Sequence, residues 1–68
     1  MTDVDKLARV LKQMQKPPTE IAAYMGWSIP TYYSRVNGES EWKATEIVNF
    51  TALARLSRPE RDAIFLGD

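Results

Sequence analysis

The side chains of this 68-residue chain that could do chemistry are hydroxyls, amides, amines and carboxylates, because the sequence contains neither histidine nor cysteine. Those two residue types supply many general bases and zinc ligands and all thiolate nucleophiles. No glycine-rich phosphate loop is present, and the spacing of the acids does not suggest a catalytic cleft. The sequence therefore predicts a protein that is not an enzyme and that uses no metal, organic cofactor or small-molecule substrate.

The composition fits one small globular domain covering residues 1–68. Hydrophobic residues make up 44% of the chain and charged residues 26%, which is enough apolar material for a folded core. No apolar run approaches the roughly 20 residues that span a bilayer, and the N-terminus is acidic where a signal peptide is basic. Together with the lack of cysteine, these features predict a cytoplasmic protein without a membrane anchor.

Capping residues and apolar spacing predict the first two helices. Thr2, with Asp5 three residues later, matches an N-cap of the capping-box type, and apolar residues follow at helical spacing to about Gln15. The adjacent prolines stop this helix, and Pro18 can open the next one because proline is tolerated in a first helical turn. Gly26 is expected to end the second helix.

Three further helices are predicted after a very short connection. Ser28 is a good N-cap for a third helix over residues 29–36, which Asn37-Gly38 ends because both residues tolerate positive φ. A fourth helix is expected from about Ala44 to near Leu56. Ser57 to Glu60 then matches a second capping box, which starts a fifth helix through Leu66. Five short helices predict a compact all-α bundle.

The segment from residue 18 to residue 38 has the pattern of two helices crossing over a tight turn. Helices that cross at about 90 to 120° need a small side chain at their contact and a residue free to take positive φ at the corner. Ala22 and Gly26 stand at those two places. The apolar positions expected to face the core are Ile21, Met25, Tyr32 and Val36.

The aromatic residues of this region divide between core and surface. Tyr32 and Tyr33 are adjacent on a helix, so their side chains point about 100° apart and cannot share one environment. Tyr32 lies four residues before Val36 and is assigned to the core, which leaves Tyr33 facing outward. Trp27 and Trp42 are expected to be structural plugs beside the turn and the following loop.

With these features the chain resembles the helix-turn-helix regulators of the lambda repressor and Cro type, also called the xenobiotic-response-element family. The resemblance covers nearly the whole chain and is closest to small phage and prophage repressors. In those proteins the recognition helix ends in Asn-Gly, and an acidic loop with an aromatic leads to helix four, as in residues 37–42 and 44–47 here. It implies a lambda-repressor-like fold with the helix-turn-helix at about residues 18–37, and a sequence-specific transcriptional regulator of double-stranded DNA.

The resemblance also implies a binding surface in which the third helix enters the major groove. Matching positions imply that Ser34 and Asn37 hydrogen-bond bases, while apolar residues contact thymine methyl groups. Arg35 is implied to contact phosphate. The full set expected to face DNA is Thr19, Ser28, Ile29, Pro30, Tyr33, Ser34, Arg35, Asn37 and Lys43.

Two positions depart from the family pattern. At the start of the second helix the family usually has a polar cap followed by glutamine, whereas this chain has Pro17 and Pro18. The Thr19 hydroxyl or the free N–H groups of that helix start could replace the missing phosphate contact. Before helix four the family usually has serine or threonine, and this chain has Lys43, which cannot cap but can reach a phosphate.

The last helix suggests a contact between copies of the chain. Ile64, Phe65 and Leu66 are consecutive and apolar, so at most two of them can face one core and the third could meet a second copy. A homodimer on a two-fold symmetric operator is usual for such regulators. Nine basic and nine acidic residues give the chain a net charge of zero, whereas DNA-binding domains are commonly basic. A dimer would double the number of DNA contacts and so compensate for the missing positive charge.

An alternative function stays open on the sequence alone. The same scaffold could serve as a protein-interaction module that inhibits or tethers another regulator without binding DNA. The zero net charge, the loop acids Glu39 and Glu41, and the outward Tyr33 favour that alternative. Charge placement discriminates the two, because DNA binding requires the candidate contacts to share a face that excludes most acids.

Overall fold

The computed structural model describes residues 1–67, and within them the chain forms five α-helices and no strand. The predicted all-α, five-helix architecture is confirmed, and the radius of gyration of 10.8 Å shows a compact bundle. In this part of the chain no helix has the combined length and apolar character needed to cross a membrane. The helices are α1 (Val4–Met14), α2 (Pro18–Met25), α3 (Ile29–Val36), α4 (Ala44–Ala54) and α5 (Arg58–Phe65).

The start of α1 differs from the prediction. Thr2 is not the N-cap; the N-cap is Asp3, whose carboxylate accepts a hydrogen bond from the Lys6 N–H at 3.1 Å. The Asp3 N–H donates to the Ile64 carbonyl at 2.7 Å, so a residue of α5 fixes the place where the first helix begins. A capping pattern covers only neighbouring residues, so it could not predict this long-range hydrogen bond.

Both predicted serine caps are confirmed. The Ser28 hydroxyl accepts from the Thr31 N–H at 3.3 Å, and the Ser57 hydroxyl accepts from the Glu60 N–H at 3.3 Å. The Glu60 carboxylate accepts in return from the Ser57 N–H at 2.8 Å, which completes the capping box at α5. These side chains satisfy N–H groups that have no partner within a helix.

Helix C-termini combine the expected glycines with Gln15 after α1 and Arg55 after α4, both of which have positive φ. Gly26 has φ +73° and ends α2 as predicted, while Gly38 has φ +79°. Asn37, which the sequence analysis allowed a positive φ, has φ −90° and leaves the left-handed conformation to Gly38. Helix α4 ends at Ala54, two residues before the predicted Leu56, because Arg55 takes φ +55°.

The core consists of two adjoining clusters of buried side chains. One contains Leu7, Trp42, Phe50, Ile64 and Phe65, and the other contains Ile21, Ala22 and Tyr32. The Trp42 ring lies 5.2 Å from that of Phe50 and 4.8 Å from that of Phe65, which confirms its predicted structural role. The partly buried side chains packed against both clusters are Leu11, Met14, Met25, Trp27 and Val36.

Candidate functional site

The connection between α2 and α3 consists of residues 26–28 and is held by packing on its inner side. Ala22 is 2% exposed and lies in one cluster with Tyr32, so a small side chain occupies this helix contact as predicted. The ring of Trp27 lies 6.5 Å from that of Tyr32 and 5.1 Å from that of Trp42. A largely buried aromatic cluster of Trp27, Tyr32 and Trp42 therefore packs behind α3 and holds its direction.

The outward face of α3 consists of Ile29, Pro30, Tyr33 and Asn37, the last being its C-cap. All four residues are exposed, and their spacing places them within about 100° of arc around the helix. Tyr33 is 46% exposed whereas Tyr32 is 5% exposed, so the predicted division of the two tyrosines is confirmed. The edge-to-face contact between their rings, with centroids 5.1 Å apart, supports the exposed ring from below.

Arg35 points away from this outward face. It follows Tyr33 by two residues, which turns its side chain by roughly 200° around the helix. Its Nε donates to Glu46 Oε1 at 2.9 Å, Nη2 donates to Glu46 Oε2 at 3.3 Å, and Nη1 donates to Ser40 Oγ at 2.7 Å. Only 15% of the Arg35 side chain is exposed, so a contact with phosphate would require this ion pair to open.

The two serines of the expected binding set also make internal hydrogen bonds. The half-buried Ser34 places its Oγ 2.8 Å from Ser40 Oγ. Besides capping α3, the exposed Ser28 donates from its hydroxyl to Thr31 Oγ1 at 3.0 Å. Both hydroxyls therefore stabilise the ends of α3, whereas the exposed set on the outward face is uncharged and its polar side-chain groups are the Tyr33 hydroxyl and the Asn37 amide.

Thr19 and Lys43 lie at two helix starts and are both exposed. Thr19 occupies the first turn of α2, where Pro17 and Pro18 provide no side-chain cap. Lys43 is the N-cap of α4 and has no capping side-chain oxygen, as predicted; its N–H donates to Glu46 Oε1 at 2.8 Å. Within residues 1–67 the Lys43 ammonium forms no ion pair, unlike Lys16, which lies 3.0 Å from the Glu20 carboxylate.

Glu46 joins three segments of this region, a role the sequence analysis did not assign to it. Besides Arg35 and the Lys43 N–H, it accepts from Trp27 Nε1 at 3.0 Å. Burial raises the pKa of Glu46, but the hydrogen bonds from Arg35, Lys43 and Trp27 outweigh this effect and lower its pKa to about 2. The available signal was a glutamate three residues after a helix N-cap, which is half of a capping box.

The C-terminal apolar residues divide as the sequence analysis required. Ile64 and Phe65 are 2% and 6% exposed and belong to the core, whereas Leu66 is 63% exposed. Of the three residues expected to offer a dimer contact, Leu66 is thus the one on the surface. An open groove of about 210 Å³ runs between α1 and α5, with Arg9 and Glu60 among its lining residues and none from α3.

Comparison of the chain with models of protein families, with curated proteins and with solved structures found no match. Three features stand together around α3: an exposed, uncharged face, a lysine at the start of the next helix, and a partly buried ion pair behind them.

Proposed function

We propose that this chain is a sequence-specific regulator of transcription of the lambda repressor and Cro type, with α2 and α3 forming a helix-turn-helix that binds double-stranded DNA. The outward face of α3 carries the proposal. It exposes a nearly uncharged surface on an eight-residue helix, while the opposite sides of that helix are fixed by Tyr32 and Arg35. The major groove admits one α-helix, and its base edges offer both hydrogen-bonding groups and methyl groups.

The residue types on this face suit base edges more than phosphates. The Asn37 amide can donate to and accept from the edge of adenine, and Ile29 and Tyr33 can contact thymine methyl groups. Tyr33 is supported by the ring of Tyr32 at 5.1 Å, which limits its freedom before binding. A contact surface that is ordered in advance loses less entropy on complex formation.

Contacts with the DNA backbone are assigned to the two helix starts. The exposed Lys43 ammonium can reach a phosphate, and the first turn of α2 presents the Thr19 hydroxyl and N–H, whereas the N–H groups of Glu20 and Ile21 donate to the Pro17 carbonyl. Because one chain offers few such contacts, we propose a homodimer on a two-fold symmetric site, with Leu66 as a candidate contact. The lack of cysteine fits action in a reducing cytoplasm.

The test is selection of binding sites from a random duplex library with the full chain. The wild type should enrich one motif, with two-fold symmetry if the dimer forms. Asn37→Ala and Tyr33→Ala should each weaken binding to that motif, by about tenfold for a lost base contact. Tyr24→Ala is the matched control, because Tyr24 is also an exposed tyrosine, at 54%, but belongs to α2; its motif should be unchanged.

Failure of this selection would favour the protein-interaction alternative. Exposed Glu39 and Glu41 lie between α3 and Lys43, and the cation of Arg35 is held internally, which favours a partner other than DNA. If no duplex is enriched even at low salt, where electrostatic attraction is strongest, DNA binding is contradicted. The outward face of α3 would then be tested as a surface for another protein.

A further inference from the structure

We propose that Glu46 is a positioning residue for DNA recognition: by holding Arg35 it fixes the outward face of α3 relative to Lys43. The inference rests on the proposed function and deepens it, because it distinguishes a residue that positions the recognition surface from the residues that contact DNA. Glu46 itself lies on α4 and is 13% exposed, so it is not a candidate for a contact with bases.

The geometry uses both carboxylate oxygens of Glu46. Oε1 accepts from Arg35 Nε at 2.9 Å and from the Lys43 N–H at 2.8 Å. Oε2 accepts from Arg35 Nη2 at 3.3 Å and from Trp27 Nε1 at 3.0 Å. One side chain thus ties together the turn before α3, the last turn of α3 and the start of α4.

A two-point contact of this kind fixes rotation as well as distance. The planar guanidinium meets the carboxylate through two nitrogen atoms, which a lysine ammonium could not do in the same geometry. Arg35 lies roughly 200° around α3 from Tyr33, so holding its guanidinium holds Tyr33 outward. Ser40 adds a third point at Nη1, 2.7 Å away, and also contacts Ser34.

Long-range electrostatics and loss of positioning predict opposite changes in DNA affinity for the substitution Glu46→Gln. Glu46→Gln removes a negative charge near a surface that is to approach phosphates, so long-range electrostatics alone predicts tighter binding to any duplex. Loss of positioning instead predicts weaker binding to the preferred duplex, because the amide cannot accept from Arg35, Trp27 and Lys43 together. The direction of the change therefore distinguishes the two explanations.

The experiment measures the affinity of the full chain for the duplex that the wild type selects and for a scrambled duplex. Glu46→Gln should weaken binding to the selected duplex by about tenfold and leave the scrambled duplex unchanged or bound more tightly. Glu41→Gln is the matched control, since it removes an exposed acid from the segment just before α4 without touching the Arg35 ion pair; it should leave the preference between duplexes unchanged. Circular dichroism at the assay temperature verifies that each variant is folded.

Arg35 and Ser40 provide a second arm should Glu46→Gln fail to fold. Arg35→Lys keeps the charge but loses the two-point contact, and Ser40→Ala removes one hydroxyl; both should reduce the preference for the selected duplex. If Arg35 contacted phosphate instead, Arg35→Gln would weaken binding to both duplexes and reduce the salt slope by about one per chain.

Each outcome has a distinct meaning. A Glu46→Gln variant that keeps or improves affinity for the selected duplex overturns the positioning role while DNA binding stands. A wild type that prefers no duplex overturns the proposed function, and the positioning role falls with it. A preference lost in Glu46→Gln and Arg35→Lys but kept in Glu41→Gln supports the inference.

Discussion

Glu46 and Arg35 stabilise the fold through an ion pair that is largely shielded from water. Their side chains are 13% and 15% exposed, so the charges have lost much of their hydration. Such a pair contributes net stability only where further hydrogen bonds satisfy the remaining polar atoms. Here Trp27, Ser40 and the Lys43 N–H supply those bonds. The stabilisation therefore depends on the carboxylate staying ionised.

The pH dependence of unfolding tests this point. The pKa of Glu46 is about 2 in the folded chain against an ordinary value of 4.5. Because the folded pKa is lowered, the stabilisation is complete above pH 4.5 and is lost as the pH falls towards 2. We expect the wild type to lose up to about 3 kcal/mol of unfolding free energy over that interval through Glu46. Urea denaturation across a pH series should show a smaller loss in Glu46→Gln.

Glu60 provides the control for this measurement. Its pKa is also lowered, by the hydrogen bond from the Ser57 N–H, but its carboxylate is exposed at the start of α5. Glu60→Gln should therefore change the loss of unfolding free energy at low pH, the acid limb of the stability curve, less than Glu46→Gln does. Identical acid limbs for the wild type and Glu46→Gln would contradict the assigned pKa.

The two adjacent tyrosines should respond very differently to truncation. Tyr32→Ala removes a buried ring and should cost about 3–5 kcal/mol, enough to unfold much of a domain this small. Tyr33→Ala loses mainly the edge-to-face ring contact, which is worth about 0.5–1.5 kcal/mol. Thermal unfolding should rank the variants in that order; equal losses would contradict the burial difference. A folded Tyr33→Ala variant is also required for the duplex selection to be interpretable.

Local geometry predicted some of these residue roles and missed others. The opposite environments of Tyr32 and Tyr33 follow from the angle between successive helical residues, which needs no tertiary information. The internal ion pair of Arg35 was not predicted, because Glu46 lies eleven residues later and meets it only after α4 packs. Arg35 was accordingly expected at phosphate, where an arginine on a DNA-binding helix is ordinarily useful.

At the scale of helices, the ends were predictable where one side chain or one glycine acts locally. Ser28, Ser57 and Gly26 satisfy neighbouring backbone groups within a few residues, so sequence patterns sufficed. The start of α1 depends on the Asp3 bond to the Ile64 carbonyl. The end of α4 depends on Arg55 in a conformation with φ +55°, which costs a non-glycine residue about 1–2 kcal/mol. Tertiary packing has to offset that cost, and no local sequence pattern predicts such packing.

Two glycines with the same backbone conformation should differ in their tolerance of alanine. Gly26 has φ +73° and open space around its missing Cβ, so Gly26→Ala should cost about 1–2 kcal/mol from backbone strain. At Gly38, with φ +79°, a Cβ would lie 2.9 Å from Val4 Cγ1. Gly38→Ala should therefore cost more, by about 1–3 kcal/mol for the overpacking.

Urea denaturation of the two glycine variants measures this difference directly. The comparison is matched because a Cβ is added at nearly the same φ in both variants, so the cost of backbone strain is nearly equal. The difference between the two losses therefore measures the contact between the new Cβ and α1. Equal losses for Gly26→Ala and Gly38→Ala would mean that Val4 moves aside without cost. A larger loss at Gly38 would show that the loop after α3 is held against α1, which helps to orient the proposed recognition helix.

For the molecule as a whole, the distribution of charge matters more than its sum. The net charge is zero, and within residues 1–67 ion pairs engage Lys6, Lys16, Arg35 and Arg61. Lys43 is one of the five cations outside these pairs, and it lies exposed at the end of the connection that follows α3. The all-α class and the order of the helices could be predicted from the spacing of apolar and capping residues. Which acid pairs with which cation could not, because most charged side chains could reach several partners until the chain is folded.

The salt dependence of DNA binding should reveal both the role of Lys43 and the number of chains on the duplex. Each phosphate contact contributes about 0.9 to the slope of log affinity against log salt. Lys43→Gln should thus reduce the slope by about 1.8 if two chains bind symmetrically and by about 0.9 if one chain binds. Arg58→Gln, which removes an exposed charge from the start of α5, should leave the slope unchanged. An unchanged slope in Lys43→Gln would show that Lys43 does not contact DNA. A reduction of only about 0.9 would argue against the dimer, and Leu66 would then have no role in DNA binding.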